Sequence, residues 1–258
     1  MVTSVRAFRR TTTTDADDAG HTAAAGELGG GRGESVSRAY DQLRELIIRG
    51  QLAPGSRIVE SELADRLGLS RTPIRSALHR LQQEGYVSAV VRAKERRLIV
   101  APLTQSDARE LFGIVGQLEG LASRAAAERP VTEREAIASQ LRAINLELGA
   151  AGRAVKPDPL HLFDLDMAFH RAVVEAGAGP RLLALHDAFK PQTVRYVRLY
   201  LSSLFDEIAK SVAEHEVIVD HIAAGEAPAA QRAMDTNWRN AADRLATVID
   251  THGERGSW

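Results

Sequence analysis

The stretch "SELADRLGLSRTPIRSALHRLQQEGY", Ser61 to Tyr86, constrains the fold more than any other part of the chain. Leu63 and Leu67 lie four residues apart on a short helix that Gly68 ends. A second start signal follows at Thr72-Pro73, where threonine can cap and proline, lacking an N–H, suits the first helical position. This second helix buries Ile74, Ala77, Leu78 and Leu81, reaches about Glu84 and stops at Gly85. Two helices joined by a tight turn result.

Upstream, Tyr40, Leu43, Ile47 and Ile48 recur at helical spacing between Ser35 and Gly50, and "LAPGSRI" supplies a Pro-Gly turn. Downstream, "YVSAVV" and "RLIVAPL" read as two short strands around "RAKER". Three helices and then a two-stranded hairpin is the winged helix-turn-helix order, which presents its last helix to the DNA major groove. Beyond Pro102 no strand signal remains. Six segments, beginning at Thr104, Thr132, Pro159, Pro180, Leu204 and Ala227, carry apolar residues at three- and four-residue spacing. The expected fold is therefore mainly α: a winged helix-turn-helix with a small hairpin wing over residues 35–102, and an all-α antiparallel bundle over residues 103–253 whose core can surround a cavity. The break between the fourth and fifth segments stays open, because Pro191 could kink one long helix. Residues 1–34 are rich in Thr, Ala and Gly with few large apolar residues, and read as a disordered tail. Its "RAFRR" is a solvated stretch that could touch phosphates in passing.

Charge supports the division. The overall net charge of -1 conceals 12 Lys/Arg against 7 Asp/Glu in residues 35–102, and 17 against 22 in residues 103–258. A basic module beside an acidic one suits a nucleic-acid binder with a separate sensing or assembly domain. The chain has no cysteine, which removes disulfides, thiolate nucleophiles and Cys-based zinc sites, so any metal must be held by His, carboxylate or amide oxygen. No apolar run is long enough to span a membrane and the N-terminus lacks the apolar core of a secretory signal, so no membrane partner and a cytoplasmic location are expected.

The run "LRELIIRGQLAPGSRIVESELADRLGLSRTPIRSALHRLQQEGYV" resembles the DNA-binding domain of GntR-family bacterial transcription regulators. The downstream "LEGLASRAAAE", "DLDMAFHRAVVEAGAGPRLLAL" and "EHEVIVDHIAAGEAPAAQRAM" are similar to the FCD-type ligand-sensing domain of the FadR subfamily. The resemblance implies that Arg71 and Arg75 contact operator DNA. Both positions can reach a groove: Arg71 lies at the turn, Arg75 points away from Ile74, Leu78 and Leu81, and bidentate arginine-to-guanine pairing is the commonest specific contact. Thr72 is placed to cap the helix and to bond a phosphate. His79 and Arg80 fall on exposed positions that could meet phosphates, with Arg38 and Arg57 weaker candidates. The wing lacks the family's glycine, yet Arg92, Lys94, Arg96 and Arg97 make it basic and suited to minor-groove or phosphate contact.

In the FCD resemblance a divalent metal is held by an Asp, a His four residues later and two further His. Asp166 and His170 match the first pair, and their spacing puts both on one helix face. His215 matches the third position, whereas the fourth falls on Asn237, a neutral oxygen donor that suits harder ions better than zinc. Three outcomes stay open: a zinc, nickel or manganese ion held with weakened affinity, a metal-free pocket in which the same residues hydrogen-bond an effector, or a vestigial Asp166–His170 ion pair. His221, six residues from His215, reads as a surface or packing histidine. Val115 stands where the family commonly has an arginine four residues before the position of Glu119, which weakens the expectation of a small organic acid as ligand. Arg195 and Arg198 could anchor a carboxylate effector instead, if they face inward.

The function expected is a ligand-responsive, non-enzymatic transcription regulator: a homodimer on double-stranded operator DNA, a repressor released by a small metabolite bound in the helical domain. The rival readings are an architectural DNA-binding dimer without effector response and a metal-dependent hydrolase built on Asp166, His170 and His215.

Overall fold

The computed structural model describes residues 30–92, 95–200 and 208–256. Its first module is α1 (Gly30–Ile48), α2 (Glu60–Leu67), α3 (Arg71–Gln83) and the antiparallel hairpin β1 (Val87–Arg92) and β2 (Glu95–Val100). Ala39, Leu43, Ile47, Ile74, Ala77, Leu78, Leu81 and Tyr86 form its buried core. The second module is α4 (Gln105–Ala127), α5 (Val131–Gly152), α6 (Pro159–Gly177), α7 (Pro180–Tyr200), α8 (Ile208–Ala224) and α9 (Ala227–His252), around a separate core that includes Phe112, Val115, Phe169, Tyr196, Ile218 and Met234. Among the described residues no helix is long and apolar enough to cross a membrane.

Local chemistry explains three of these boundaries. Gly68 closes α2 in the left-handed region at φ 63°, its N–H meeting the carbonyls of Ala64 and Asp65. Thr104 caps α4 by accepting from Asp107 N, and Asp158 caps α6 by accepting from Leu160 N.

Three boundaries differ from the sequence reading. α1 starts at Gly30, inside the segment expected to be a tail, because apolar spacing reports only the turns that pack and not the polar turns before them; residues 1–29 lie outside the described residues. α3 starts at Arg71 after an extended Ser70, so Thr72 is its second residue and not its cap. Proline is tolerated throughout a first turn, whose amides have no intrahelical partner, so a Thr-Pro pair does not fix the helix start to the residue. β2 begins at Glu95 and ends at Val100, earlier than "RLIVAPL" suggests; its first residues Glu95 and Arg96 are both exposed and so carry no apolar alternation to reveal the strand. The question left open at Pro191 is answered in part: α7 passes through Pro191 to Tyr200, while residues 201–207, which include the expected start of the fifth segment at Leu204, lie outside the described residues.

α4 crosses α9 closely because it presents glycines there. A side chain at Gly116 would meet Trp238 Cβ at 2.8 Å, and one at Gly120 would meet the Gln231 carbonyl oxygen at 3.2 Å. This approach brings the Trp238 indole onto Glu119, the centre of the site described below.

Candidate functional site

The two sets of candidate residues occupy the two modules. On α3, Arg71, Thr72, Arg75, His79 and Arg80 are all exposed, while Pro73, Ile74, Ala77, Leu78 and Leu81 are buried, so one helix face holds the core and the other is free for a groove. The five differ in what already holds them. Arg75 grips Glu60 of α2 with two nitrogens, Nη2 at 2.8 Å and Nε at 3.0 Å from Oε2. Arg80 lies over the Tyr40 ring at 3.7 Å and pairs with Glu84 at 2.9 Å, which fastens α3 to α1. The Arg71 side chain, exposed, has no ion pair or hydrogen bond among the described residues. In the wing Arg97 pairs with Glu95 at 2.7 Å, whereas Lys94 and the side chain of Arg92 lie outside the described residues.

In the bundle the centre is Glu119 of α4, fully buried and bonded on both carboxylate oxygens. Oε2 accepts from His170 Nδ1 of α6 at 2.6 Å and from Trp238 Nε1 of α9 at 2.8 Å. Oε1 accepts from Lys190 Nζ at 2.9 Å and faces His186 Nε2 at 3.1 Å, both on α7. Burial by itself would raise the Glu119 carboxyl, but the charges of Lys190 and His170 and the histidine hydrogen bonds win and hold it well below the usual carboxylate range. An ionised carboxylate only accepts, so it fixes the proton of His170 on Nδ1 and turns Nε2 toward Asp166, 3.9 Å away.

His215 of α8 is set the same way. Asn145 Nδ2 donates to the Val212 carbonyl at 3.0 Å, which leaves Asn145 Oδ1 to accept from His215 Nδ1 at 3.2 Å. His215 Nε2 therefore carries the lone pair, 3.7 Å from Asp166 Oδ1, and it is buried with no hydrogen-bond partner. Burial, then repulsion from His170, pushes His215 well below the ordinary imidazole value and keeps it neutral. Phe169 stacks on its ring at 3.8 Å.

Asp166, His170 and His215 bring one ligand atom each within 4.8 Å of one another. Ligands about 2.0–2.2 Å from a tetrahedral ion stand about 3.4 Å apart, so small side-chain movements would close these three on a metal. The donor set fits a divalent cation: two imidazole nitrogens whose partner ring nitrogens are held by acceptors, and one carboxylate. Asn237 gives its amide N–H to Glu214 Oε2 at 2.8 Å, so only its carbonyl oxygen is left as a fourth donor.

Beside this cluster lies a cavity of about 110 Å³, room for several waters or a small molecule. Asp166, His170, Asn237, Ser211 and Arg244 give its lining polar groups, and Phe112 and Trp238 are among its apolar ones. Arg244 is paired with Glu214 at 2.9 Å. Arg195 and Arg198 lie outside that lining. Arg195 is buried at the junction of the two modules, donating to the Ala101 carbonyl at 2.6 Å, and Arg198 is exposed with its guanidinium 5.6 Å from the Phe163 ring. Val115 is wholly buried in the apolar core, and His221 pairs with Glu226 at 2.7 Å.

Sequence reading did not find His186, Lys190, Asn145 or Arg244. The spacing of His186 and Lys190, four apart on α7, was the available signal, but it gives a shared face and not the partner that face meets.

Comparison with known proteins agrees with both modules. Residues 35–93 match the family described as bacterial regulatory proteins, gntR family, and residues 110–240 match the FCD domain. An HTH-type transcriptional regulator in an unstable DNA locus of Streptomyces ambofaciens is 30% identical over 211 residues, 81% of this chain and 84% of that protein. A "Probable D-xylose utilization operon transcriptional repressor" of Paenarthrobacter nicotinovorans is 28% identical, over 75% of this chain and 82% of its own. The structure of E. coli McbR/YncC shares the fold, with a TM-score of 0.59 at 17% identity over 85% of this chain and 99% of that one. The exposed arginine face of α3, the basic wing and the helical domain closed around a polar cluster thus belong to a GntR-family bacterial transcription regulator with an FCD domain.

Proposed function

We propose that the chain is a repressor that binds double-stranded operator DNA as a homodimer through α3 and the wing and leaves it when a small molecule enters the bundle cavity. The cavity is served by a divalent cation, zinc, nickel or manganese, at Asp166, His170 and His215. The observation that carries the ligand-sensing part is the buried, unpartnered Nε2 of His215: a buried polar atom without a partner costs about 1–3 kcal/mol, a cost that a bound ion or ligand removes. A vestigial Asp166–His170 ion pair fits the geometry less well, since 3.9 Å is too long for a hydrogen bond. A cation held there supplies an open coordination position for an effector oxygen; the protein's own groups orient the imidazoles through Glu119 and Asn145 and exclude water with Phe169 and Trp238.

On the DNA side, Arg71 and Arg75 read bases, Thr72 and His79 meet phosphates, and the wing adds charge. Arg75 must exchange Glu60 for DNA, so the free protein holds it extended and oriented beforehand. A regulator of this kind works beside bacterial DNA, in the cytoplasm.

The decisive experiment is elemental analysis by plasma mass spectrometry of protein purified without chelator or metal-affinity tag, beside an Asp166→Ala, His170→Ala control. A near-stoichiometric divalent metal lost in the control is expected. Absence of metal after incubation with zinc, nickel and manganese overturns the metal part of the reading. A saturable thermal shift with a metabolite separates a sensor from an architectural dimer.

A further inference from the structure

The four residues after α9 do not trail into solvent. Gly253 turns the chain at φ 79°, its N–H still bonded to Ile249 O at 2.7 Å, and its own carbonyl accepts from the Tyr200 hydroxyl at 3.0 Å. Glu254 Oε1 then accepts from the backbone N–H of Gln105, in the first turn of α4, at 3.0 Å. Arg255 pairs with Leu103 as an antiparallel bridge, N–H to carbonyl in both directions at 2.9 and 3.1 Å. Last, Gly256 packs backbone to backbone on the Pro54-Gly55 turn of the DNA-binding module. A Cβ built on Gly256 would stand 2.5 Å from Gly55 N, and one built on Gly55 2.4 Å from Gly256 Cα. Both glycines have positive φ, 75° and 79°, and Gly256 is buried. Neither position accepts a side chain, so this is a fitted contact between the two modules and not loose packing.

Two partners of the segment, Leu103 and Gly55, lie at the module junction. Leu103 is in the link between β2 and α4. Gly55 is fixed to the wing by its N–H on Val100 O at 2.9 Å. The segment itself continues α9, which carries Asn237, Trp238 and Arg244 into the cavity.

We propose that residues 253–256 form a latch: docked between the Pro54-Gly55 turn and Leu103, they hold the wing side of the DNA-binding module against the helical domain, and their release leaves the module held by the link at residues 101–104 and by the hydrogen bonds of α7 with Arg44, Glu84 and Ala101, about which it rocks. The meaning of such a release for operator binding rests on the function proposed above, whereas the latch rests on these contacts alone and is tested without DNA or ligand.

The chain contains no cysteine, so nitroxide labels can be placed cleanly at two introduced cysteines, Gln42→Cys on α1 and Ser139→Cys on α5, both at exposed positions. Labelled protein diluted into unlabelled protein reports the distance within one chain. Two variants release the segment by different means. Gly256→Val collides with the Gly55 backbone, and Arg255→Pro removes the N–H that bonds Leu103 O. With the latch in place the unmodified sequence gives one narrow distance. Both variants are expected to broaden it, to raise hydrogen exchange at the Leu103 amide about tenfold or more, and to leave the helical circular dichroism unchanged. A narrow distance that persists while Leu103 exchange rises overturns the proposal. So does an unchanged exchange rate in both variants, or a broad distance in the unmodified sequence.

Discussion

Arg44 on α1 donates from Nη2 to the backbone carbonyl of Asp187 on α7 at 3.3 Å, and that carbonyl is open because the residue four places on is Pro191. A proline has no N–H to return to the i−4 carbonyl, so the helix loses one bond without ending and exposes an acceptor to its neighbour. Arg44 takes it, and its Nε meets the Tyr86 hydroxyl at 3.3 Å. Gln192, donating to Glu84 O at 2.9 Å, and Arg195, donating to Ala101 O, complete the seam. The same helix carries His186 and Lys190 on Glu119, so α7 touches the candidate sensor and the DNA-binding module within ten residues.

Pro191→Ala restores the missing N–H and competes with Arg44 for Asp187 O. The expected outcome is a more stable α7 with a weaker seam: a higher melting temperature for the helical domain, and faster hydrogen exchange at the Tyr86 amide, followed by mass spectrometry.

Glu119→Gln leaves Lys190 buried without a counter-charge, and a buried charge that has lost its partner is costly. A loss of about 3–5 kcal/mol in urea unfolding is expected, well above the effect of a surface change. Lys190→Met, which removes the opposite charge and retains much of the apolar stem over the Trp238 ring, is expected to cost less stability at neutral pH than Glu119→Gln but to raise the Glu119 carboxyl toward the ordinary range.

The pH dependence follows from two depressed groups. His215 and Glu119 both bind a proton more readily unfolded than folded. Their contribution is full above the unfolded values, about 6.5 for histidine and about 4.3 for glutamate, and is lost as pH falls through the folded ones. Metal-free protein is therefore expected to lose stability progressively below about pH 6.5, with a further loss below about pH 4.3. His215→Phe is expected to remove the first phase and leave the second, in unfolding measured across pH 4–8.

Operator binding depends on α3. Once an operator is selected from random duplexes, Arg71→Ala and Arg75→Ala are each expected to weaken it by about 1–3 kcal/mol, measured by fluorescence anisotropy at fixed salt, and to relax base preference at the positions they contact. Glu60→Gln frees Arg75 from its carboxylate and removes a negative charge beside the groove, so tighter and more salt-dependent binding is expected.

Asn237→His supplies the third imidazole and removes an amide donor from Glu214. Zinc affinity is expected to rise, followed by competition against a chromophoric chelator, while His215→Ala is expected to abolish binding.

The order of elements and the division into modules are legible in the amino-acid sequence alone. Gly68, Pro73 and Gly85 punctuate α2 and α3, the apolar spacing of six segments marks α4 to α9, and exposed arginines on α3 follow from its buried Ile74, Leu78 and Leu81. These are local properties, set by backbone sterics and by which face of a helix is apolar. The spacing of Asp166 and His170 was legible for the same reason. What lies across a helix interface was not. That Glu119 gathers four donors from three helices, that Asn145 rather than a carboxylate orients His215, and that Arg195 serves the module junction instead of the cavity depend on how far one helix is rotated and shifted against the next. That rotation is decided by packing of the whole core, here by the Gly116 and Gly120 crossing against Trp238 and Gln231, and no period within a single segment encodes it.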